Sequence, residues 1–475
     1  MQAIFGMAVF LSAFLLFTQI GLRLSLLTII IAHITFSISY VVIVTRGRLF
    51  AIGRDFDRVA CPIPELMLLG GMMVTRSEAA RLQRAHKSPA DALLGARLLA
   101  RFLADRLHYR RGTRLVLGNA LVARLYHGLL ARGVPVWFEA RVERLLVEGG
   151  RVCGAEIRQG GALRPVRAQR GVLLAGGGFP AGASWREKHL PKPLARHTPA
   201  CESANGETLR LGMAAGGVLG PGGEHNALWF PSSVARRRDG SIAVYPHILL
   251  DRAKPGLVAV GTSGLRFTNE AVSYHEFGRA MYRTNNVPAW LVCDRRFLWR
   301  YGLGMIRPMT WRLGQFFRRG YLHTGETLEA LARAIGVDAA GLSETVRRHR
   351  EFARSGHDAD FGKGGNAYDR ANGDPHRQPN PCLGPIEAPP FYAVRVEPTP
   401  LGTSLGLATD EHARVLGAGG APIEGLYAAG NDMHSIMGGE YPGAGAMLGP
   451  GMTFAYLAAL HAAAQGAKIR RTEAS

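Results

Sequence analysis

The sequence predicts an α/β fold behind an apolar N-terminal segment, and three observations carry that prediction. From Phe50 on, short apolar strands, helical stretches and Gly-rich turns alternate. The strand Arg170–Ala175 runs straight into Gly176, Gly177 and Gly178. Ahead of these, residues 3–44 are apolar, with one break at Gly21, Leu22 and Arg23.

A chain of 475 residues exceeds one hydrophobic core and implies two or three folding units. An apolar fraction of 47% and 60 glycines suit a globular protein rich in tight turns. The formal charge of +21 is mostly arginine scattered along the chain, for example Arg110, Arg111, Arg348 and Arg350. Its densest run, Arg236–Arg238, leads into the turn Asp239-Gly240 and reads as a solvated loop. With no zinc-finger or RNA-binding motif, the charge predicts no nucleic-acid partner. The five cysteines are far apart and include no Cys-x-x-Cys pair, so neither a metal site nor a disulfide framework is predicted, and a reducing compartment fits.

Ala3–Ile20 and Leu24–Val44 are each about long enough to cross roughly 30 Å of hydrocarbon, and together predict a transmembrane hairpin. A signal peptide fits less well, because no Lys or Arg precedes the first apolar run. Arg46, Arg48 and Arg54 follow the second run and place the remainder in the cytoplasm. Leu26–Leu49, with its His-x-Thr-Phe pattern at His33, resembles a permease subunit of a polyamine-type ABC transporter. The Glu-Ala-Ala coupling stretch of that family does not follow, so His33 reads as a helix-packing residue.

Along the main part, Leu93–Leu107 and Ala120–Leu130 have helical spacing, and Val134–Phe138 reads as a strand. Arg141–Val147 and Val152–Ile157 form a hairpin closed by Glu148–Arg151. Leu328–Ile335 and Ala340–Phe352 form a helical pair in a more polar region. The strand Leu426–Ala429 and the helix Met452–Ala464 return to the first core. The pattern is a nucleotide domain interrupted by a substrate domain, with boundaries at 1–49, 50–200, 201–400 and 401–475.

Three stretches carry chemistry. Ala175 and Gly176–Gly178 end a strand without side chains, so backbone can approach a cofactor, although any tight strand–turn would have this form. Gly425–Asn431, GLYAAGN, repeats the device and brings Gly430 and Asn431. Gly438–Pro450, GGEYPGAGAMLGP, is too rich in glycine for a helix and predicts a loop that lays N–H groups on a ligand. The helix behind it adds partial positive charge.

GLYAAGN and the Tyr-Pro-Gly-Ala-Gly loop resemble the flavoproteins of the fumarate reductase and 3-ketosteroid 1,2-dehydrogenase superfamily. Gly264–Met281, Ser203–Gly216 and the turn Gly402–Ala408 match further motifs of that group in order, so the resemblance spans roughly residues 50–465. The Tyr-Pro-Gly-x-Gly form points to the ketosteroid branch, and no Arg loop for a dicarboxylate is present. The resemblance implies a FAD-dependent oxidoreductase with an inserted α+β substrate-capping domain. It implies FAD against Ala175, Gly176, Gly177, Gly178, Gly402, Thr403, Gly430, Asn431, Gly443, Ala444, Gly445, Met447 and Leu448. It also implies that Tyr441 and the Gly445 N–H grip a ring carbonyl, that Tyr274 takes the neighbouring proton, and that flavin N5 takes the hydride. The implied partner is an apolar ring ketone such as a steroid, with an unidentified electron acceptor.

Residue by residue, Tyr274 also reads as a buried structural phenol, and Asn269 and Glu270 as caps of the following helix. The family opens with a Gly-x-Gly-x-x-Gly strand–helix unit that grips the ADP half of FAD; here the apolar hairpin stands before Phe50 and the FAD-binding Rossmann-like domain is expected to be incomplete. Weak flavin binding by the chain alone is therefore expected, with a flavin-poor pseudoenzyme or gene-fusion product, and a permease fragment, as alternative readings. The expected location is the inner membrane with the main domain cytoplasmic, or the cytoplasm if the N-terminal piece is an artefact.

Overall fold

A computed structural model of the chain describes residues 59, 67–82, 85, 88–109, 111–248 and 251–472. The chain divides into two compact units, Met1–Phe138 and Glu139–Ser475. The expected hairpin lies in residues 1–49, outside the described residues. Among the described residues no helix is long and apolar enough to cross a membrane.

The first unit holds the helices Arg76–Leu82, Pro89–His108 and Leu117–Ala131. Ser88 caps the second by accepting from the Asp91 N–H, and Pro89 follows where its missing donor costs nothing. Arg114 forks onto Glu78 at 2.9 and 2.8 Å, which ties the loop after the second helix back to the first. The segment Val134–Phe138 forms no strand. Pro135 has no N–H to donate, and Val134, Val136 and Trp137 are exposed, so neither ladder bonds nor burial hold it in a sheet.

The second unit begins with an antiparallel meander of β1 (Arg141–Glu148), β2 (Arg151–Gln159) and β3 (Ala162–Arg167). A second sheet has the order β11 (Arg414–Leu416), β12 (Pro422–Ala428), β4 (Val172–Leu174). Here β12 and β4 run parallel, with Leu426 opposite Val172 and Ala428 opposite Leu174. The two strands therefore deliver their glycine turns, Gly176–Gly178 and Gly430, at the same end. Leu174, Leu209, Leu407, Leu426 and Ala428 form the core beneath.

The largest sheet runs β6 (Ile242–Pro246), β5 (Ala227–Arg236), β10 (Phe391–Thr403), β8 (Ala289–Asp294), β7 (Leu257–Val260), with β9 (His323–Gly325) also on β10. The helix Tyr274–Arg283 lies on β5. Its Phe277 and Met281 are fully buried against Leu291, Cys293, Val394 and Val396, each contributing about 1.5–3 kcal/mol of transfer free energy. Gly278 lets the helix approach closely, since a Cβ there would lie 2.5 Å from the Trp229 Cβ. Ser273 caps this helix by accepting from the Glu276 N–H. The reading of Asn269 and Glu270 as caps is corrected: Asn269 bonds Asp369 and the Ala271 N–H, and Glu270 pairs with Arg266.

The C-terminal helix starts at Leu448, earlier than expected, and takes in Gly449, Pro450 and Gly451. The first turn tolerates them because its donors have no intrahelical partner. Gly451 is also pressed on the 430 turn, where its Cβ would lie 3.2 Å from the Gly430 Cα.

Candidate active site

Tyr274 is the first residue of its helix, and Tyr441 stands in the glycine loop before the C-terminal helix. The structure brings their rings to 5.2 Å at 59°. Phe230, from β5, stacks on Tyr274 at 4.1 Å and 12° and meets Tyr441 edge-on at 6.0 Å. Leu228 and Ala446 complete the buried cluster, with Ile248, Leu401 and Met447 packed around it.

The two phenols are hydrogen-bonded to each other. Burial pushes both above the ordinary tyrosine range. The Tyr441 phenol adds to the rise at Tyr274, and Arg252 opposes it; the bond from Tyr274 partly offsets the rise at Tyr441. Neighbouring His275 is pushed down to about 4 by burial, with Arg279 adding to the fall, and is neutral. Its Nδ1 accepts from the Trp229 N–H at 3.2 Å. His275, Glu276 and Glu440 lie close enough to suggest a metal site. Arg279 occupies that place instead, bonding Glu276 at 3.1 Å and Glu440 at 2.8 Å.

Beside this cluster is a narrow cleft with about 20 Å³ of free space, lined by Thr403, Gly430, Asn431, Met447 and Pro450, with Leu228, Ala446 and the His434–Ile436 segment. Gly178 and Gly402 form its back. A Cβ on Gly178 would run into Thr403 and come within 2.9 Å of the Asn431 carbonyl. One on Gly402 would lie 2.6 Å from Asn431 and 2.7 Å from the Met447 sulphur. Gly430 sits at φ +65 with open space where a side chain would start. The open backbone at Gly430 and the amide and hydroxyl groups of Asn431 and Thr403 are the groups here that would meet the edge of a flavin.

The remaining expected residues fall around this cleft in different ways. Ala175 is exposed at the end of β4. Gly176 and Gly178 spend their N–H groups on Asp432, at 2.6 and 2.8 Å, so they shape the turn. Gly177 faces Ala204. Gly443 and Gly445 give the loop its positive φ values of 158 and 100 and cap the next turn, their carbonyls accepting from Ala446 and Gly449. Ala444 and Leu448 are exposed.

Sequence reasoning missed Asp432 and Phe230. Asp432 directly follows the GLYAAGN motif, a position that alone carries no sign of the turn it holds 254 residues upstream. Its burial pushes the carboxyl up, against the Gly178 and Gly176 donors. Phe230 lies in an apolar strand, where one ring looks like any other.

The FAD binding domain family matches residues 57–448. The chain is 36% identical to a 3-oxosteroid 1-dehydrogenase of Mycobacterium tuberculosis, over 84% of this chain and 71% of that one. It is 37% identical to a 4-oxocyclohex-2-ene-1-carboxylate 5-dehydrogenase of Sinomonas cyclohexanicum, over 76% of this chain and 62% of that one, so it spans somewhat under two thirds of this second relative. Among solved structures, it resembles the 3-ketosteroid Δ1-dehydrogenase of Sterolibacterium denitrificans in complex with 1,4-androstadiene-3,17-dione. The TM-score is 0.81 and the identity 39%, covering 87% of this chain and 75% of that one. A mixed α/β fold and matches over most of the length converge: the chain belongs to the FAD-binding flavoprotein family of the 3-oxosteroid 1-dehydrogenases.

Proposed function

We propose that the protein is a FAD-dependent dehydrogenase that introduces a double bond next to a ring carbonyl of a steroid-like ketone. The observation that carries this is the buried Phe230–Tyr274–Tyr441 cluster beside the cleft lined by Thr403, Gly430 and Asn431. Two phenols with different surroundings supply a donor and a base, and an aromatic lid excludes water from both.

In this reading Tyr441 donates its O–H to the substrate carbonyl, and the Gly445 N–H donates to the same oxygen. Negative charge developing there is stabilised by fixed donors in a desolvated setting, so the adjacent C–H becomes acidic. Tyr274, as phenolate, takes that proton. FAD, when bound, supplies the acceptor for the hydride leaving the next carbon. Thr403, Asn431 and Met447 hold the ring system, and Asp432 keeps the turn behind it in shape. Residues 201–400 act as the substrate cap.

The apolar residues packed around Tyr274 and Tyr441, Leu228, Phe230, Ile248 and Leu401, favour a hydrophobic skeleton over a ring acid of the kind named for the Sinomonas relative. The uncharged apolar runs before residue 45 support association with a membrane, the main part facing the cytoplasm.

The test is dye-coupled oxidation of a 3-oxosteroid by the full chain reconstituted with FAD, alongside Tyr441→Phe and Tyr274→Phe. The expected losses are about 10²–10³-fold and 10²–10⁴-fold in kcat. Either variant within threefold of the parent would remove that residue from the reaction. Oxidation of 4-oxocyclohexanecarboxylate in preference to the steroid would reverse the substrate assignment.

A further inference from the structure

Between Asp294 and Glu326 the chain has seven arginines, no lysine and no acidic residue. The same stretch leaves large apolar side chains in water: Trp311 is 74% exposed, Trp299 53%, Met309 48% and Phe317 37%. We propose that residues 295–319 form a docking surface for an anionic lipid bilayer, on which the indoles enter the interface and the arginines engage lipid phosphates. The surface goes beyond the reaction and does not depend on it.

The fold separates this face from the core. Phe297 and Leu298 of the helix Arg295–Tyr301 are buried, as are Leu303 and Ile306 in the loop after it. Trp299, Met309 and Trp311 stand outside from the same short stretch. The Met309 N–H donates to the Trp299 carbonyl at 2.8 Å, so the exposed residues of helix and loop are neighbours. Met309 is held there at φ +59, in the left-handed region that a side chain enters at a cost. Leu313 and Phe316 pack on the core, while Phe317, in the helix Gly314–Arg318, stays exposed. Single exposed apolar residues are ordinary, but a group gathered around two tryptophans marks an interaction site.

Charge selects the partner. Arg300 is held by Asp374 at 2.7 Å. Among the described residues, Arg295, Arg296, Arg312, Arg318 and Arg319 have no carboxylate partner. The Arg312 Cζ lies 4.3 Å over the Trp311 ring. That contact uses the face of the guanidinium and leaves its N–H edge for a phosphate. A basic face with interleaved indoles matches the headgroup layer of a bilayer, where tryptophan is favoured. Each arginine near an anionic leaflet adds about fivefold to binding. A second copy of the chain is a poor occupant, because a two-fold contact would set these arginines against themselves. A nucleic acid would stack on the indoles but has no use for Met309, which offers a base no ring.

The apolar runs before residue 45 are expected to hold the full chain on a bilayer by themselves, so the test reads the surface itself. The full chain is incorporated into vesicles of phosphatidylcholine with about one third phosphatidylglycerol, the acyl chains carrying bromine as a quencher. Tryptophan emission is compared with that of Trp299→Phe/Trp311→Phe, and the difference is the share of the two indoles. Roughly half of that share is expected to be quenched, as for rings seated at the acyl boundary. The quenching is expected to vanish in phosphatidylcholine alone, in about 0.5 M salt, and in Arg296→Gln/Arg312→Gln/Arg318→Gln/Arg319→Gln. If the double tryptophan variant does not fold, Trp311→Phe alone supplies the share. An unquenched share in the anionic vesicles overturns the proposal. Equal quenching in phosphatidylcholine or in the arginine variant does so too, because the charge would then have no role. Protection of the same indoles without lipid, where the chain dimerises, would assign the face to a second copy. A change caused by duplex DNA and not by vesicles would assign it to a nucleic acid. Either result refutes the bilayer. The readout needs neither FAD nor turnover.

Discussion

The ring face and the glycine face of the site rest on buried carboxylates of opposite character. Behind the ring face, Glu270 and Asp251 are ionised against cations or a histidine. Burial works against each, but Arg266 and Lys363 hold Glu270 well below the usual range, and His247 with the Gly304 N–H holds Asp251 at about 2. Behind the glycine face, Asp432 meets only neutral donors, and burial wins: its carboxyl is pushed up. The ring face is therefore fixed by charge pairs, which are costly to break singly. The glycine face is fixed by backbone shape, which fails when atoms are added.

The sharpest way to break the ring face is Glu270→Gln. It leaves Arg266 and Lys363 short of their shared partner in a fully buried position and is expected to cost about 3–5 kcal/mol. Chemical denaturation measures this; a loss under 1 kcal/mol would mean the network does not hold the segment before Tyr274. The glycine face is broken by Gly178→Ala. Its φ of +74 and the blocked space at Thr403 and Asn431 predict a loss of about 2–4 kcal/mol and poorer flavin retention. Unchanged stability would show that the turn adapts.

Acid sharpens the comparison. A carboxyl raised in the fold is protonated first as pH falls, and its ionised form costs stability at neutral pH, so acidification through its folded pKa does not unfold the protein by this route. What is weakened is one of the two carboxylate oxygens that accept from Gly176 and Gly178. A carboxyl held low contributes stability fully above its unfolded value, near ~3.9, and loses it as pH falls toward about 2. Flavin fluorescence is therefore expected to change at a higher pH than far-UV circular dichroism, and Asp432→Asn is expected to remove that gap. A single coincident transition in the parent would contradict it. The smallest effect belongs to Arg279→Gln. Its partners Glu276 and Glu440 are largely solvated, so stability should change by about 0–1 kcal/mol, measured by the same denaturation.

Much of the local structure was legible. Leu328–Ile335 forms a helix at those bounds, and the spacing in Leu93–Leu107 and Ala120–Leu130 found the helices Pro89–His108 and Leu117–Ala131. The hairpin at 141–157 was marked by its Gly149-Gly150 turn. Val134–Phe138 was misread because alternation says nothing about whether a neighbouring strand exists. In the site, tyrosines within glycine-rich motifs announced themselves. The groups that tune them did not: Arg266 meets Asp358 across 92 residues, and Asp432 meets Gly178 across 254. Such pairings leave no local periodicity, and a buried arginine looks in sequence like any of the many on the surface.

β10 runs from Phe391, beside β9 and β8, to Thr403, beside β5 at the edge of the cleft. Thirteen residues of one extended strand thus belong at one end to the middle of the large sheet and at the other to the cofactor wall. Phe391–Val396 are held by β8 and β9 and Glu397–Thr403 by β5, with a shift of register between Pro400 and Gly402. A displacement of the large sheet therefore either carries Thr403 with it or is taken up at that shift, one residue from the cofactor wall.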